Sequence, residues 1–472
     1  MIQFSRLLAR QVRAVFRKLV SRATAGQAKV SMQADAAGLR VRLHHAEIAA
    51  EFVSAGEFGS DEIVVSLQAL ADCEARSLDL VTLAKSAAGV QASWEVVGVP
   101  QIRSYAAEDV ASLPAFPSMP NSMTACDAGI LKILADAAAT ASVDAVRYAT
   151  NNIQLKGSTG SVIATDGRQL LQTAFELPWK EDVLVPASSV FACKELSHDG
   201  PVTIGKSEKH VTLQVGPWTL HLPIQDGRFP SAENVIPKQE AATAHCHLDA
   251  DDCAFLSKAI SRLPGAQDDF APVTLDLNGE VCVRAKAGDQ QQTVELVLNR
   301  SQATGAARFV MDRTYLARAV ELGLADLHIN DAKTPVQFTD ERHKFVTVPL
   351  ADCQALLPSV DAVRIMSTKD ATETTPPTRR IKFVNETMSE TLKLVPQPTS
   401  NGSEETKVRR TRKIKSTGLA ALIEEGEALR AAARDLAGRS HGLLVALKRH
   451  RKQTRLVQTS LKALKDLQAI GA

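Results

Sequence analysis

LPIQDGRFPSAENVIPK, Leu222 to Lys238, lies near the middle of the 472-residue chain. An alternating strand, HVTLQVGPWTLHLPI (210–224), runs into it. The chain then turns through Asp226-Gly227, where glycine tolerates the tight backbone, and Pro230 and Pro237 hold the exit extended. Alone, such a segment reads as a linker. The order of elements before it recurs after it, and that gives it a more definite place.

Each recurrence opens with a helical segment: FSRLLARQVRAVFRKLVSR (4–22), MTACDAGILKILADAAATA (123–141) and LDADDCAFLSKAISRL (248–263). Strands follow. A short strand then leads straight into a second helical segment, in DEIVVSLQALADCEA (61–75), EDVLVPASSVFACKEL (181–196) and ARFVMDRTYLARAVEL (307–322). An alternating hairpin closes each unit: GVQASWEVVGV (89–99), HVTLQVGPWTLHLPI (210–224) and PVQFTDERHKFVTVPL (335–350). The pattern predicts an α+β chain of three repeated domains, 1–118, 119–238 and 239–358, each with two helices on a curved antiparallel sheet. The opening stretch is then the corner where the second repeat ends and the third begins.

A content of 45% apolar and 23% charged residues is that of a globular protein, so a core is expected. No apolar run is long enough for a membrane span, and the N-terminus lacks the apolar block of a secretory signal. The seven cysteines are scattered and form no CxxC pair, which argues against a disulfide framework or a zinc site and fits a reducing cytoplasm. Charge is unevenly divided. Residues 1–360 carry 33 Lys and Arg against 41 Asp and Glu, whereas residues 361–472 carry 22 against 12. A basic tail is either a solvated segment or one that seeks nucleic acid.

Three motifs in the second repeat, VRYATNN (146–152), VIATDGRQLL (162–171) and DGRFPSAENVIPK (226–238), resemble in order and spacing those of the bacterial DNA sliding clamp, the beta subunit of DNA polymerase III. With the triple repeat, the resemblance covers residues 1 to about 352. It implies DNA-clamp domains arranged as a head-to-tail homodimer, a closed ring with sheets outside and helices lining a hole around double-stranded DNA. Such a ring holds DNA by topology and slides because it makes few specific contacts. No catalytic residue, metal or cofactor is expected, and no Ser/His/Asp order, HExxH or phosphate-cradling glycine loop is present.

A ring that slides on DNA should present positive charge inward. Arg6, Arg10, Arg13 and Arg17 make one basic stripe on the first helix, nearly opposite an apolar stripe of Leu8, Val12, Val15 and Leu19. The stripe suits a DNA-facing helix, a solvated face or an anionic membrane surface. Further candidates are Arg147, Lys132 and Lys194 in the second repeat, and Lys258, Arg262, Arg313 and Arg318 in the third. Ala232, Glu233 and Asn234 stand after DGRFP where the family often has aromatic and basic residues.

The resemblance also implies an apolar cleft between the second and third repeats that takes peptides of DNA polymerase, clamp loader and repair proteins. Its matching positions are Thr165, Gly167, Arg168 and Leu170, then Pro230 and Val235 at the corner, and Val346 and Val348 in the last strand. Arg168-Gln169 replaces a common His-Arg and Thr150 a common leucine, which predicts a shallower, more polar cleft. Leu170, Val346 and Val348 can also be read as plain core residues.

The family ends soon after the strand matching FVTVPL. Here residues 359–415, rich in Thr, Pro, Ser and charge, read as a flexible linker, and 416–472 as an α-helical hairpin with Leu422, Leu429, Leu436 and Leu443 spaced as in a coiled-coil seam. Two functions follow: a clamp-like processivity factor that tethers partners to DNA, or a divergent paralogue that regulates through its helical tail.

Overall fold

The computed structural model describes residues 1–367 apart from 21–27, 45–47, 107, 144–147, 197–200, 232–233, 289–291 and 351–352. The helical hairpin and most of the linker lie outside the described residues.

Repeat 1 runs β1 (Ile2–Ser5), α1 (Arg6–Leu19), β2 (Lys29–Asp35), β3 (Gly38–His44), β4 (Ala49–Ser54), β5 (Asp61–Ser66), α2 (Leu67–Cys73), β6 (Leu80–Ser86), β7 (Gly89–Val96) and β8 (Val99–Tyr105). Repeat 2 follows the same order: β9 (Thr124–Cys126), α3 (Ile130–Thr140), β10 (Asn152–Lys156), β11 (Ser161–Thr165), β12 (Gln169–Ala174), β13 (Asp182–Pro186), β14 (Val202–Lys206), β15 (His210–Val215) and β16 (Trp218–Pro223). Repeat 3 has β17 (Ala244–His247), α4 (Ala250–Ala259), β18 (Pro272–Asp276), β19 (Cys282–Ala285), β20 (Val294–Val297), β21 (Gln302–Thr304), β22 (Arg308–Asp312), α5 (Arg313–Glu321), β23 (Asp326–Ile329), β24 (Val336–Thr339) and β25 (His343–Thr347). A last strand, β26 (Val363–Met366), comes after it.

The expectation of two α-helices per repeat fails once. Where repeats 1 and 3 have α2 and α5, repeat 2 has two short 3-10 turns, Ser189–Ala192 and Lys194–Leu196. Pro186 just ahead, two serines and the branched Val190 give this segment little helical preference, and burial of Val190, Phe191 and Leu196 holds it instead. The linker expectation also fails over its first residues, since β26 falls within 359–415.

Sheets cross the repeat boundaries. β5-β2-β3-β4 of repeat 1 continues into β16-β15-β14-β9 of repeat 2, and β13-β10-β11-β12 continues into β25-β24-β23-β17-β21 of repeat 3. Two smaller sheets remain, β1-β6-β7-β8 and β22-β18-β19-β20-β26. Trp218 joins repeats 1 and 2, its ring set edge-on to Phe52 (4.8 Å) and Phe16 (6.1 Å) between their helix and strand layers. Alternation along β18, β19, β20 and β22 sends Val273, Leu275, Val283, Leu296, Phe309 and Met311 into the core of repeat 3.

The helices start where the sequence supplies caps. Ser5 Oγ accepts from the Leu8 amide (3.1 Å), and Asp249 and Asp312 cap α4 and α5 in the same way. All seven cysteines are free thiols. Among the described residues no helix is long and apolar enough to cross a membrane, and no cluster of His, Cys, Asp or Glu could hold a metal ion.

Candidate functional site

At the junction of repeats 2 and 3, β12 pairs with β25, Leu170 opposite Val346 and Gln169 opposite Thr347, and the Val348 amide donates to the Arg168 carbonyl (3.1 Å). Register places Thr165, Leu170, Val346, Gln337 and His328 in one row across five strands, all on one face. Leu170, Val346 and Ile163 form a small apolar cluster of their own, separate from the domain cores, and Phe229 and Ile236 of the corner pack on it.

The turn at its end is tightly specified. Thr165 Oγ1 donates to the Gln169 carbonyl (2.6 Å) and accepts from the Gly167 amide (3.0 Å), while Asp166 Oδ1 accepts from the amides of Arg168 and Gln169. Gly167 has a φ of 89°, where a side chain would be strained. The corner is held just as closely. Gln225 N–H donates to the Leu184 carbonyl (2.9 Å), and a Cβ on Gly227 would come within 2.9 Å of the Ala149 Cβ. DGRFP is thus a wall against repeat 2 as well as a connection.

Of the sequence-predicted cleft residues, Thr165, Leu170 and Val346 are buried in the floor, Pro230 is half-buried, and Gly167, Arg168, Val235 and Val348 are exposed around it. Arg168 lies over the Phe270 ring, 4.6 Å from its centroid. With Leu170 only 4% and Val346 2% exposed, the apolar floor is largely covered by this chain's own Phe229 and Ile236.

Gln337 was not singled out in the sequence. It is 1% exposed beside Val346, and neither its amide nitrogen nor its amide oxygen has a hydrogen-bond partner among the described residues. A buried, unpartnered amide is costly to keep and is available to a docked polar group. Alternation in VQFT puts Gln337 on the Val346 face, but nothing within those four residues signals that the face is buried.

The basic candidates divide into free and engaged. Arg10 and Arg17 on α1 are exposed, as are Lys194, Lys258 and Arg262. Arg6 donates to the Cys73 carbonyl (2.9 Å) and Arg13 pairs with Glu74 (2.8 Å), both half-buried, so α1 uses those two to hold the end of α2. Lys132 is exposed and pairs with Asp136 (2.6 Å). Arg147 lies outside the described residues. Two expectations need correction. Arg313 is 4% exposed and donates to the carbonyls of Ala271 and Leu263, closing the turn after α4 rather than facing outward. Arg318 pairs with Asp136 of α3 (2.9 Å) and Glu321 (3.0 Å), a clasp between repeats 2 and 3.

No family model matches the chain. Among curated proteins, the beta sliding clamp of Pseudomonas aeruginosa is 27% identical over 162 residues, 32% of this chain and 43% of that protein. That of Pseudomonas putida is 30% identical over 101 residues, 20% of this chain and 28% of that protein. In sequence, then, the match spans less than half of these relatives. In structure it spans nearly all. The crystal structure of the DNA polymerase III subunit beta from P. aeruginosa superimposes with a TM-score of 0.62 at 17% identity over 74% of this chain and 99% of that one. The chain has the fold of the bacterial sliding clamps. The DNA polymerase III beta chain from Streptococcus pneumoniae gives the same TM-score at 16% identity, and that of Thermotoga maritima 0.60 at 12%. The sliding-clamp fold is therefore kept here with few residues in common, and about a quarter of this chain has no counterpart in these clamps.

Proposed function

We propose that two copies of this chain close head to tail into a ring around double-stranded DNA. The ring acts without catalysis, as a cytoplasmic processivity factor that tethers DNA polymerase, the clamp loader and repair proteins to the duplex. The observation that carries this reading is the coverage of essentially the whole length of solved DNA polymerase III beta subunits by the three repeats. Partners dock on the row Thr165, Leu170, Val346 and Gln337 and the rim residues Gly167, Arg168, Pro230, Val235 and Val348. An entering peptide displaces Phe229 and Ile236 from the apolar floor and gives Gln337 its missing partner.

Affinity for DNA comes from exposed cations rather than from base contacts. Arg10, Arg17, Lys194, Lys258 and Arg262 are exposed, Lys132 is exposed but paired with Asp136, and Arg147 is a further candidate from the sequence. Arg6, Arg13 and Arg318 contribute through the elements they hold in place. Replacing Arg10 and Arg17 together by Gln is expected to weaken duplex binding and to reduce the slope of log K against log salt by up to about 0.9 for each phosphate no longer neutralised. Fluorescence anisotropy with a labelled duplex at several salt concentrations measures this, and an unchanged slope would place α1 away from DNA.

A further inference from the structure

The two inner junctions of the body follow one rule. β4 of repeat 1 pairs antiparallel with β16, the last strand of repeat 2, from Trp218↔Phe52 to His221↔Ala49. β12 of repeat 2 pairs antiparallel with β25, the last strand of repeat 3, from Gln169↔Thr347 to Thr173↔His343. The strand of repeat 3 equivalent to β4 and β12 is β20, and its mate under the same rule is β8, the last strand of repeat 1. In one chain these two strands belong to different sheets. The third junction therefore needs a second copy.

One of the two edges is open and the other is taken. β8 ends its sheet with no neighbour beyond it among the described residues, and its Val99 and Ile102 are 57% and 63% exposed. β20 is covered by β26, which runs parallel to it with Val294↔Val363 through Val297↔Met366. The Val363 amide donates to the Thr293 carbonyl (2.9 Å) and the Ser367 amide to the Val297 carbonyl (3.0 Å). Those carbonyls are the ones an incoming strand would need. A ladder edge cannot serve both strands at once.

We propose that β26 is a built-in latch on the ring-closing edge: residues 363–366 occupy β20 where the β8 strand of a second copy would pair, and assembly requires them to leave. The proposal rests on the ring reading above. Chain path supports it. After β25 the Leu350 amide donates to the Val310 carbonyl of β22 and the Leu356 amide to Thr274 Oγ1 of β18, so the segment crosses the repeat 3 sheet before reaching its far edge. The hold is also weak enough to release. All four β26 side chains are exposed, and the pairing is parallel, the less stable arrangement per residue, whereas both inner junctions are antiparallel. Arg364 supplies most of the side-chain attachment, pairing with Glu280 and with Glu295 (3.1 Å). Beside the latch, Phe255, Leu263, Val294, Leu296 and Ile365 line an open apolar cleft of about 520 Å³, surface that an interface would fill.

Hydrogen exchange read by mass spectrometry on the full chain tests this at β8. Val363→Pro removes the donor to Thr293, and Arg364→Glu independently sets a like charge against Glu280 and Glu295. In the wild-type chain the β8 amides should exchange as an open edge at all micromolar concentrations. In both variants they should slow by about tenfold or more as concentration rises, while β18 and β19 keep their protection. Wild-type β8 amides protected as strongly as those of the variants would overturn the latch and leave the ring reading standing. Unprotected β8 amides in all three proteins would overturn the latch and the ring reading together.

Discussion

Arg284→Met is expected to destabilise the body by about 3–5 kcal/mol, because it removes the cation from a buried charge cluster. The Arg284 side chain is 5% exposed between Asp276, 2% exposed, and Glu295, 6% exposed. Its Nε donates to Glu295 Oε1 (2.6 Å) and its Nη1 to Asp276 Oδ2. Burial works against the Asp276 charge, yet hydrogen bonds from Arg284, Asn278 and Arg308 outweigh it and hold the carboxyl below its ordinary range. Without Arg284, Asp276 keeps Arg308 (2.9 Å) and the amides of Asn278, and Glu295 keeps Arg364, so both buried carboxylates lose the cation they share. Urea unfolding should show a large loss in midpoint, and adding Glu295→Leu should recover part of it by removing one of the two stranded charges. A loss below about 1 kcal/mol would mean that water or other groups compensate the cluster.

Stability should also fall by about 3 kcal/mol as pH drops from 6.5 to 4, through one histidine at the junction of repeats 1 and 2. His221 on β16 is 2% exposed, hydrogen-bonded through Nδ1 to Thr212 Oγ1 (2.9 Å) and set edge-on to Phe116. Burial, and then the nearby His210 and Arg42, push its pKa down from 6.5 to about 4. Between those values the unfolded chain binds the proton and the native one does not, so protonation favours unfolding. The contribution is intact above pH 6.5 and is lost as pH falls toward 4. His221→Gln, which can keep the bond to Thr212, should flatten this part of the pH dependence; an identical slope in wild type and variant would contradict the assignment.

Much of the fold was legible because it rests on local patterning. Alternation in HVTLQVGPWTLHLPI gave β15 and β16, and of the apolar stripe Leu8, Val12, Val15 and Leu19 all but the half-buried Leu8 are buried on α1. The corner was legible for the same reason, since Gly227 and the prolines restrict their own backbone. What escaped is set by distant partners. Arg313 has the same charge as Arg10, and only the carbonyls after α4 make it internal. PASSVFACKEL begins like the other second helices but lacks strong helix formers, so packing decided its shape. VRIM, four residues with exposed side chains, carries no period that could announce a strand, and β26 exists because β20 offers an edge. Gln337 followed its alternation, while its burial left no mark in the local sequence.

The encirclement of DNA proposed above has a topological test. The Val363→Pro chain, freed of its latch, is threaded onto linear plasmid DNA, the DNA is ligated into circles, and the mixture is passed through gel filtration at high salt. Protein is expected to travel with the circles and to be released when a single cut linearises them. Equal loss from circular and linear DNA would contradict it.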